Sequence, residues 1–344
     1  MSRKLVHYVS DEPFDPHAIE ELTPEQERVY MASRWLMMWW KFKRHKIAVS
    51  AGIILLVSYF TIIFVEILAP YELHTRNTAF IYAPPQQLHV VHDGELRRPF
   101  VYPFVYRLNL DTLKREYTED ISKPESVRFF CRGDPYRFWG LISSDFHIVC
   151  APKEGTLFFL GTDRLGRDML SRLMYGGRIS LTVGLIGITI SFLLGISIGG
   201  AAGYFGGWVD NIVQRIIETL RSLPDLPLWM ALSAALPVTW SPLYVYLGIT
   251  VILGMLDWPG LARAVRSKLL SLREEDYVTA ARLMGASPRR IVGSHLLPNF
   301  SSHLIASASL SIPSMILGET ALSFLGLGLR PPITSWGVLL AEAQ

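Results

Sequence analysis

The fold is decided by the stretch Asp276-Tyr-Val-Thr-Ala-Ala-Arg-Leu-Met-Gly285, which Leu296-Leu-Pro298 follows. The first part predicts a charged helix and a loop glycine between apolar runs. Amphipathic helices between apolar runs are common, but here the spacing is specific. Two small residues, Ala280 and Ala281, lie in the helix, and Gly285 follows Ala281 by four residues. The pair Leu297-Pro298 follows the glycine by 12 and 13 residues.

The composition indicates a membrane protein. Half of the 344 residues are hydrophobic, 18% are charged and the mean hydropathy is +0.28. The apolar run 47–69 has about 23 residues, and a helix needs about 20 to cross a bilayer. Because backbone groups in lipid must bond to each other, we expect an all-α polytopic fold. The predicted core, 179–344, has spans at 179–203, 208–236, 243–264 and 299–318.

Positive charge predicts the orientation. Basic residues immediately precede the first span, namely Lys41, Lys43, Arg44 and Lys46. Such residues stay cytoplasmic, so 1–46 is predicted to be a cytoplasmic tail. The late start and the length of the run 47–69 exclude a cleaved signal peptide. Four predicted spans before the arginine-rich loop 265–298 place this loop inside as well. The net charge of +3 gives no reason to expect nucleic acid as a partner.

The segment 70–178 is a long insert, predicted to lie in the periplasm. Its aromatic, proline and β-prone residues predict a subdomain of short strands and loops. Both cysteines of the chain, Cys131 and Cys150, fall within it. An oxidising compartment would permit a disulfide between them, and two buried free thiols are the alternative.

Small residues recur every fourth position in the span 179–203: Gly187, Ser191, Gly195, Gly199 and Gly203. This interval lets two membrane helices approach closely. The pattern Gly195-Ile-Ser-Ile-Gly199 matches a hydrolase nucleophile elbow in form, but such an elbow requires a strand–turn–helix context. We therefore interpret it as a packing surface.

Three motifs together resemble one transporter family. They are Leu160-Gly-Thr-Asp-Arg-Leu-Gly-Arg-Asp168 with Ser171-Arg172, the loop around Gly285, and Gly318-Glu-Thr-Ala-Leu-Ser-Phe-Leu-Gly-Leu-Gly328 before Ser335-Trp336-Gly337. Residues of about 155–340 and the first span resemble the C-type membrane subunit of oligopeptide and dipeptide ATP-binding-cassette (ABC) importers. The long insert resembles the Yej-type subset, associated with peptides and peptide antibiotics of the microcin C kind.

The resemblance implies a type I ABC importer permease fold in the bacterial inner (plasma) membrane. It assigns ATPase docking to a set of loop residues: Asp276, Thr279, Ala280, Ala281, Gly285, Ala286, Leu297 and Pro298. Thr279 replaces the family's usual Glu, and His295 its usual Ile. The family has six spans, whereas five are predicted here, so its final helix is expected to be missing.

The resemblance also implies the partners of the chain. They are a second homologous permease subunit (B-type), two ATP-binding subunits or one fused ATPase, a periplasmic substrate-binding protein, a peptide and membrane lipid. The sequence has no Gly-x4-Gly-Lys-Ser/Thr loop to hold ATP phosphates. We expect no cofactor in this chain, with ATP and Mg bound by the partner ATPase, so the chain is a transport subunit and not itself an enzyme.

Two further candidate sites carry charge. The pre-span motif comprises Gly161, Thr162, Asp163, Gly166, Arg167 and Asp168. Its acids alternate with Arg164 and Arg167, so salt bridges are favoured over a catalytic pair, and the motif would brace a gate or meet the binding protein. Glu319 is a gate candidate because ionisable residues in spans are functional candidates, with a surface-exposed acid as the alternative.

Other functions remain as alternatives. Nine histidines are scattered without metal-ligand spacing, so no metal site is predicted. An ABC permease for oligosaccharides or another solute would share every motif above. An intramembrane enzyme would need facing catalytic groups, and an exporter or channel would lack the docking loop or carry its own ATPase domain.

Overall fold

A computed structural model describes residues 31–112, 114–153 and 155–344. The predicted tail 1–46 lies outside the described residues as far as residue 30. Four described helices are long and apolar enough to cross a membrane: Lys46–Ile63, Met169–Phe205, Pro242–Leu272 and Pro288–Phe324. The chain forms two compact units, of which the first ends at Ser58 and the second is Tyr59–Gln344.

The first unit contains α1 (Arg34–Arg44) and most of α2 (Lys46–Ile63). Ser33 caps α1, since its side chain accepts a hydrogen bond from the Leu36 amide at 3.3 Å. Basic residues occupy the last turn of α1, and the predicted cytoplasmic location of this turn stays a prediction. The apolar α2 begins one residue before the predicted span 47–69.

The predicted end of the first span is wrong. Helix α2 ends at Ile63, and a separate turn, α3 (Val65–Leu68), follows. The carbonyl of Ile62 accepts from the Arg178 side chain at 2.9 Å, and that of Ile63 accepts from the Trp139 indole at 3.1 Å. These side chains provide partners for carbonyls that a helix end leaves without intrahelical ones.

Seven short strands lie among the described residues of the insert: β1 (His89–His92), β2 (Glu95–Val101), β3 (Phe104–Leu108), β4 (Arg115–Glu119), β5 (Glu125–Ser126), β6 (Arg128–Phe138) and β7 (Ile142–Cys150). They pair antiparallel, as β1–β2–β5, β3–β4 and β6–β7. Cys131 of β6 and Cys150 of β7 are joined by a disulfide that closes the longest hairpin. The periplasmic location of these strands stays a prediction.

The predicted boundary of the insert at 178 is also wrong. The next helix, α4, spans Met169–Phe205 and starts ten residues before the predicted 179. Asp168 caps it, because its carboxylate accepts from the Ser171 amide at 2.7 Å. The first turns of α4 contain Ser171, Arg172 and Arg178, which interrupt the apolar run, so an apolar run alone underestimates the length of the helix.

The predicted span 208–236 is two helices, α5 (Gly207–Arg221) and α6 (Asp225–Ala234). Pro224 separates them, since proline lacks an amide donor and disfavours helix in the residue before it. In contrast, the predicted span 243–264 is too short, because α7 runs over Pro242–Leu272 without interruption. The predicted orientation requires one membrane crossing between α4 and α7. Helices α5 and α6 together would have to provide it.

The loop predicted at 265–298 is mostly helical. It contains the end of α7, then α8 (Asp276–Leu283) and the short α9 (Pro288–Arg290). A π-helical turn, Ile291–Leu296, and a 3₁₀ turn, Leu297–Phe300, lead into α10 (Ser301–Phe324), which extends beyond the predicted 299–318. A short helix, α11 (Trp336–Glu342), follows.

Helices α4 and α7 pack through the predicted stripe of small residues. A Cβ atom built on Gly195 would lie 2.9 Å from Leu261 Cδ2, and one on Gly203 would lie 2.8 Å from the Arg266 carbonyl oxygen. Gly254 of α7 faces the Gly187 carbonyl in the same way. The two backbones are therefore too close for larger side chains, as in other small-residue membrane interfaces.

This packing predicts different effects for two adjacent glycines. A Cβ on Gly199 would overlap the Ala262 backbone, whereas one on Gly200 meets only Val292 Cγ1, at 3.8 Å. Gly199→Ala should therefore destabilise the chain by about 1–3 kcal/mol through overpacking. Gly200→Ala should be neutral or stabilising, since alanine favours helix. Thermal unfolding in detergent measures both, and equal midpoints for the two variants would contradict the interface.

Candidate functional site

The predicted docking segment is built around α8 and its C-terminal cap. Gly285 has φ +78°, a left-handed conformation that favours glycine. The Gly285 amide donates to the Arg282 carbonyl at 2.9 Å, and the Ala286 amide donates to the Ala281 carbonyl at 3.0 Å. These two bonds form a Schellman motif, so the Ala281–Gly285–Ala286 spacing has a structural cause.

One face of α8 is buried. Val278 and Ala281 belong to an apolar cluster with Val265 and Leu269 of α7 and with Ile291 and Leu296 after α9. Ala286 and Leu297, from the two ends of the predicted motif, pack against the same cluster. The cluster therefore brings the separated parts of the motif together and fixes α8 to the end of α7.

The opposite face of α8 is exposed and partly apolar. Four of the predicted docking residues are exposed on or next to α8: Asp276, Thr279, Ala280 and Gly285. Leu283 and Met284, which the sequence analysis did not single out, are 84% and 82% exposed. We call this set, with Leu283 and Met284, the docking face. The sequence could have indicated these two residues, because they do not continue the three-residue spacing of the buried Val278 and Ala281.

Polar contacts hold the docking face in place. The Asn299 amide nitrogen donates to the Tyr277 hydroxyl at 2.8 Å, which ties α8 to the 3₁₀ turn containing Pro298. The Arg282 guanidinium lies over the Tyr204 ring at 5.3 Å and ties α8 to the end of α4. Pro298 is exposed and lies in the 3₁₀ turn that follows the π-helical turn. Proline has no amide N–H and therefore cannot donate a helical hydrogen bond at this position.

The pre-span motif forms a buried ion network. Asp163 Oδ2 accepts from Arg167 Nε at 2.6 Å and from Arg172 Nη1 at 2.7 Å. Both arginines also contact Glu342 of α11, at 3.2 and 2.6 Å. Removing one member of a buried network leaves an uncompensated charge, which typically costs about 3–5 kcal/mol. Of the predicted salt bridges within the motif, the Asp163–Arg167 pair is present. The prediction is wrong for Asp168 and Arg164, which form no ion pair among the described residues, and the sequence did not indicate Glu342.

Two glycines let the motif pack against the chain before β1. Gly161 and Gly166 have φ of +75° and +72°, and a Cβ on either would overlap backbone atoms of residues 77–85. The Thr162 hydroxyl accepts from the Ala83 amide at 2.8 Å. The motif is thus a rigid turn that joins the insert to the start of α4.

The two motif acids have opposite pKa shifts. Burial alone would raise the pKa of Asp163, but hydrogen bonds from Arg167 and Leu165 lower it below its ordinary value. Burial raises the pKa of Asp168 to about 6, although hydrogen bonds from Ser171 act in the other direction. Asp168 Oδ1 has no hydrogen-bond partner among the described residues, and Asp168 makes no ion pair with them.

Glu319 is fully buried, so the alternative of a surface-exposed acid is wrong. Its carboxylate accepts from the hydroxyls of Ser323 and Ser335 at 2.7 Å and from that of Ser180 at 3.2 Å. These serines come from α10, from the residue that caps α11, and from α4. Glu319 therefore connects three segments near one end of the helices, and its role in gating stays a prediction.

Metal chemistry has no support in the described parts of the chain. Within 31–112, 114–153 and 155–344, no group of three or more histidine, cysteine or acidic residues is arranged to hold a metal ion. The carboxylates of Asp163 and Glu319 bond to arginine and serine side chains.

Family comparisons match most of the described chain. Residues 191–344 match the model of the binding-protein-dependent transport system inner membrane component. Residues 33–85 match the N-terminal TM domain of oligopeptide transport permease C. The second match covers α1 and α2, and the first covers the docking face.

Three relatives are similar in sequence. The dipeptide transport system permease protein DppC of Bacillus subtilis is 42% identical, over 53% of this chain and 55% of that protein. The oligopeptide transport system permease protein OppC of Haemophilus influenzae is 40% identical, over 59% and 62%. OppC of Mycobacterium tuberculosis (strain H37Rv) is 36% identical, over 60% and 69%. The alignments thus cover little more than half of the first two relatives.

A solved structure is also similar in part. The MetNI methionine ABC transporter, in inward-facing conformations, aligns with a TM-score of 0.39 and 19% identity, over 51% of this chain and 87% of that chain.

The pKa of Asp168 predicts a pH dependence of stability. The folded state keeps this proton at pH values where the unfolded chain has lost it, so the group's contribution to stability falls as pH rises from about 4 to 6. Each tenfold change in proton affinity is worth about 1.4 kcal/mol, so the loss is at most about 3 kcal/mol. Asp168→Asn keeps a cap but cannot titrate and should lack this slope. Unfolding midpoints between pH 4.5 and 7.5 measure it, and parallel curves would contradict the assignment.

Proposed function

Because the chain belongs to the binding-protein-dependent transport system inner membrane components, within the C-type oligopeptide and dipeptide permeases, we propose that it is a permease subunit of an ATP-driven peptide importer. The observation that carries the proposal is the docking face, which exposes Leu283 and Met284 on a helix whose other side is firmly packed. Exposed apolar residues on an ordered polar helix are typical of a protein interface.

The proposed partner of the docking face is a separate ATP-binding subunit. This partner would bind ATP and Mg²⁺, and the chain would contribute no residue to hydrolysis. A hydrophobic centre with a polar rim is typical of protein interfaces. The exposed Asp276 and Thr279 would provide part of the rim, and Leu283 and Met284 the centre.

The packing of α8 supports transmission of movement to the membrane. Val278 and Ala281 pack on Val265 and Leu269, so a displacement of α8 acts directly on the end of α7. Helix α7 packs closely along α4. We propose that closure of the ATP-binding subunits moves these helices as rigid bodies and alternates the access of a central cavity.

The complete importer requires further subunits. We propose that a second, B-type permease subunit completes the translocation path and that a periplasmic binding protein delivers the peptide. The N-terminus and the docking face would lie in the cytoplasm, with the strands 89–150 in the periplasm. Peptide is the proposed substrate class because the relatives are named dipeptide and oligopeptide permeases.

Loss of the exposed leucine should uncouple the chain from its ATPase. Leu283→Glu places a charge at the centre of the docking face and should reduce co-purification of the ATP-binding subunit at least tenfold, because burying an unpaired charge at an interface is costly. The measurement is affinity purification of the tagged chain in detergent from cells that express the whole transporter, with the ATP-binding subunit quantified by immunoblot.

The matched control is Leu110→Glu, the same substitution at a leucine that is 79% exposed in the insert. It should leave the amount of ATP-binding subunit unchanged. If Leu283→Glu retains the ATP-binding subunit as well as Leu110→Glu does, the docking face is not the ATPase contact.

A further inference from the structure

The turn between β6 and β7 exposes apolar side chains that the docking face, the ion network and the Glu319 cluster do not use. Leu141 is 85% exposed, and Ile142, the first residue of β7, is 65% exposed. Trp139, which follows β6, is 47% exposed. We call Trp139–Ile142 the hairpin tip, and none of its residues is charged. Adjacent exposed apolar residues of this size indicate a surface that contacts a partner or a membrane.

Three contacts hold the hairpin tip in one place. The Trp139 indole donates to the carbonyl of Ile63, the last residue of α2, at 3.1 Å. The Trp139 amide donates to the Glu66 carboxylate at 3.2 Å, and the Arg178 guanidinium lies over the Trp139 ring at 4.2 Å. Trp139 has φ +49°, a conformation that residues other than glycine rarely adopt. These contacts stabilise that conformation and fix the hairpin tip beside α4.

The chain that follows α2 runs along the first turns of α4. A Cβ atom built on Gly177 would lie 3.4 Å from Ile62 Cγ2. The Tyr71 amide donates to the Ser171 hydroxyl at 3.2 Å. Gly177 and Ser171 are six positions apart in α4, so they are separated by about 9 Å along its axis. Ile62 therefore lies beside the start of the apolar run of α4, whereas Tyr71 lies beside its first turn.

The hairpin β6–β7 is directed toward the apolar run of α4. The Nδ1 atom of His147, within β7, lies 2.9 Å from the Ala69 carbonyl oxygen, close to the first turn of α4. Trp139, at the turn, contacts Ile63 instead, where α2 ends. The hairpin tip is therefore the end of the hairpin that lies nearest the apolar run of α4. Helices α2 and α4 are both long and apolar enough to cross a membrane.

An apolar groove continues from the hairpin tip along α4. Its volume is about 630 Å³, and its walls include Trp139, Ile179, Ile186 and Leu243. The exposed surface of these walls is almost entirely apolar. Ile186 lies seven positions beyond Ile179, or about 10 Å further along α4. The exposed apolar surface thus extends from the hairpin tip into the length of a candidate span.

We propose that the hairpin tip inserts into the lipid bilayer, with Leu141 and Ile142 among the acyl chains. Helix α2 has 18 residues and is about 27 Å long, close to the thickness of the hydrocarbon core, so Ile63 marks a boundary with the headgroups. Tryptophan is enriched at this boundary. The exposed Arg137 beside the tip would meet lipid phosphate there, and one acyl chain would fill the groove. The inference uses the membrane spans alone and does not depend on the transported solute.

The test compares two isoleucines that are equally exposed. Ile142 of the hairpin tip and Ile121 of the loop before β5 are both 65% exposed. Strand β5 leads into the start of β6, and the 11 residues of β6 span about 33 Å. Ile121 therefore belongs to the other end of the hairpin, outside the surface that would contact lipid, and serves as the matched control.

Each isoleucine is replaced by cysteine in the purified complex, with partner subunits that carry no accessible thiol. Cys131 and Cys150 are joined, so the new cysteine is the one free thiol of this chain. The thiol is labelled with an NBD fluorophore, and the complex is reconstituted into phosphatidylethanolamine–phosphatidylglycerol vesicles. Nitroxide groups on the acyl chains should quench the probe of Ile142→Cys several-fold more than that of Ile121→Cys. Iodide in the water should quench the two probes in the opposite order.

Leu141→Cys gives a second position in the hairpin tip and should match Ile142→Cys, so the test survives a folding defect in one variant. Equal quenching by nitroxide lipid at the tip and at Ile121→Cys overturns the inference. Tip probes with blue-shifted emission that neither quencher reaches would show that another protein covers the tip, and this result also overturns it. The measurement requires no transport, so its outcome is separate from that of the proposed function.

Discussion

The close contact of two glycine-lined helices is the constraint on which the other features depend. Gly203 meets the Arg266 carbonyl and Gly254 meets the Gly187 carbonyl, so α4 and α7 touch backbone to backbone. Lipid offers little hydrophobic drive for helices to associate, and such contacts supply van der Waals packing instead. Every site described above is attached to one of these two helices.

The attachments lie at opposite ends of the pair. Helix α4 begins at the Asp163–Arg167–Arg172–Glu342 network, and Ser180 in its early turns bonds to Glu319. Helix α7 ends at the cluster that holds α8. One end of the pair carries polar networks and the other an apolar cluster. Packed helices move as units, as the proposed coupling requires.

The sequence predicted the elements better than their limits. Apolar runs identified the first span and the helices around 179 and 243, because burial in lipid requires continuous apolar length. The predicted ends of the helices were wrong where polar side chains determine where a helix starts or stops. The cap by Asp168 starts α4 ten residues before its apolar run, in a stretch that contains two arginines. At the end of α2, the side chains of Trp139 and Arg178 donate hydrogen bonds to the carbonyls of Ile63 and Ile62. A proline such as Pro224 can either kink a helix or end it. Which of the two occurs depends on tertiary contacts that no local pattern describes.

In the candidate sites too, local features could be predicted from the sequence and long-range contacts could not. The spacing of Ala281, Gly285 and Ala286 is local, and a Schellman motif accounts for it. Which alanine is buried depends on where α7 lies, so the sequence could not separate the exposed Ala280 from the buried Ala281. Glu342 joins Arg172 across 170 residues, a separation beyond the reach of any local pattern.

The central claim, that α8 contacts an ATP-binding subunit, is tested most directly by photo-crosslinking from Met284. The two native cysteines are joined to each other, so a Met284→Cys variant would carry one free thiol for a benzophenone maleimide. Irradiation of labelled membranes containing the whole transporter should give one main product, the chain joined to the ATP-binding subunit. Products with lipid or with the other permease subunit alone, and none with the ATP-binding subunit, would contradict the account.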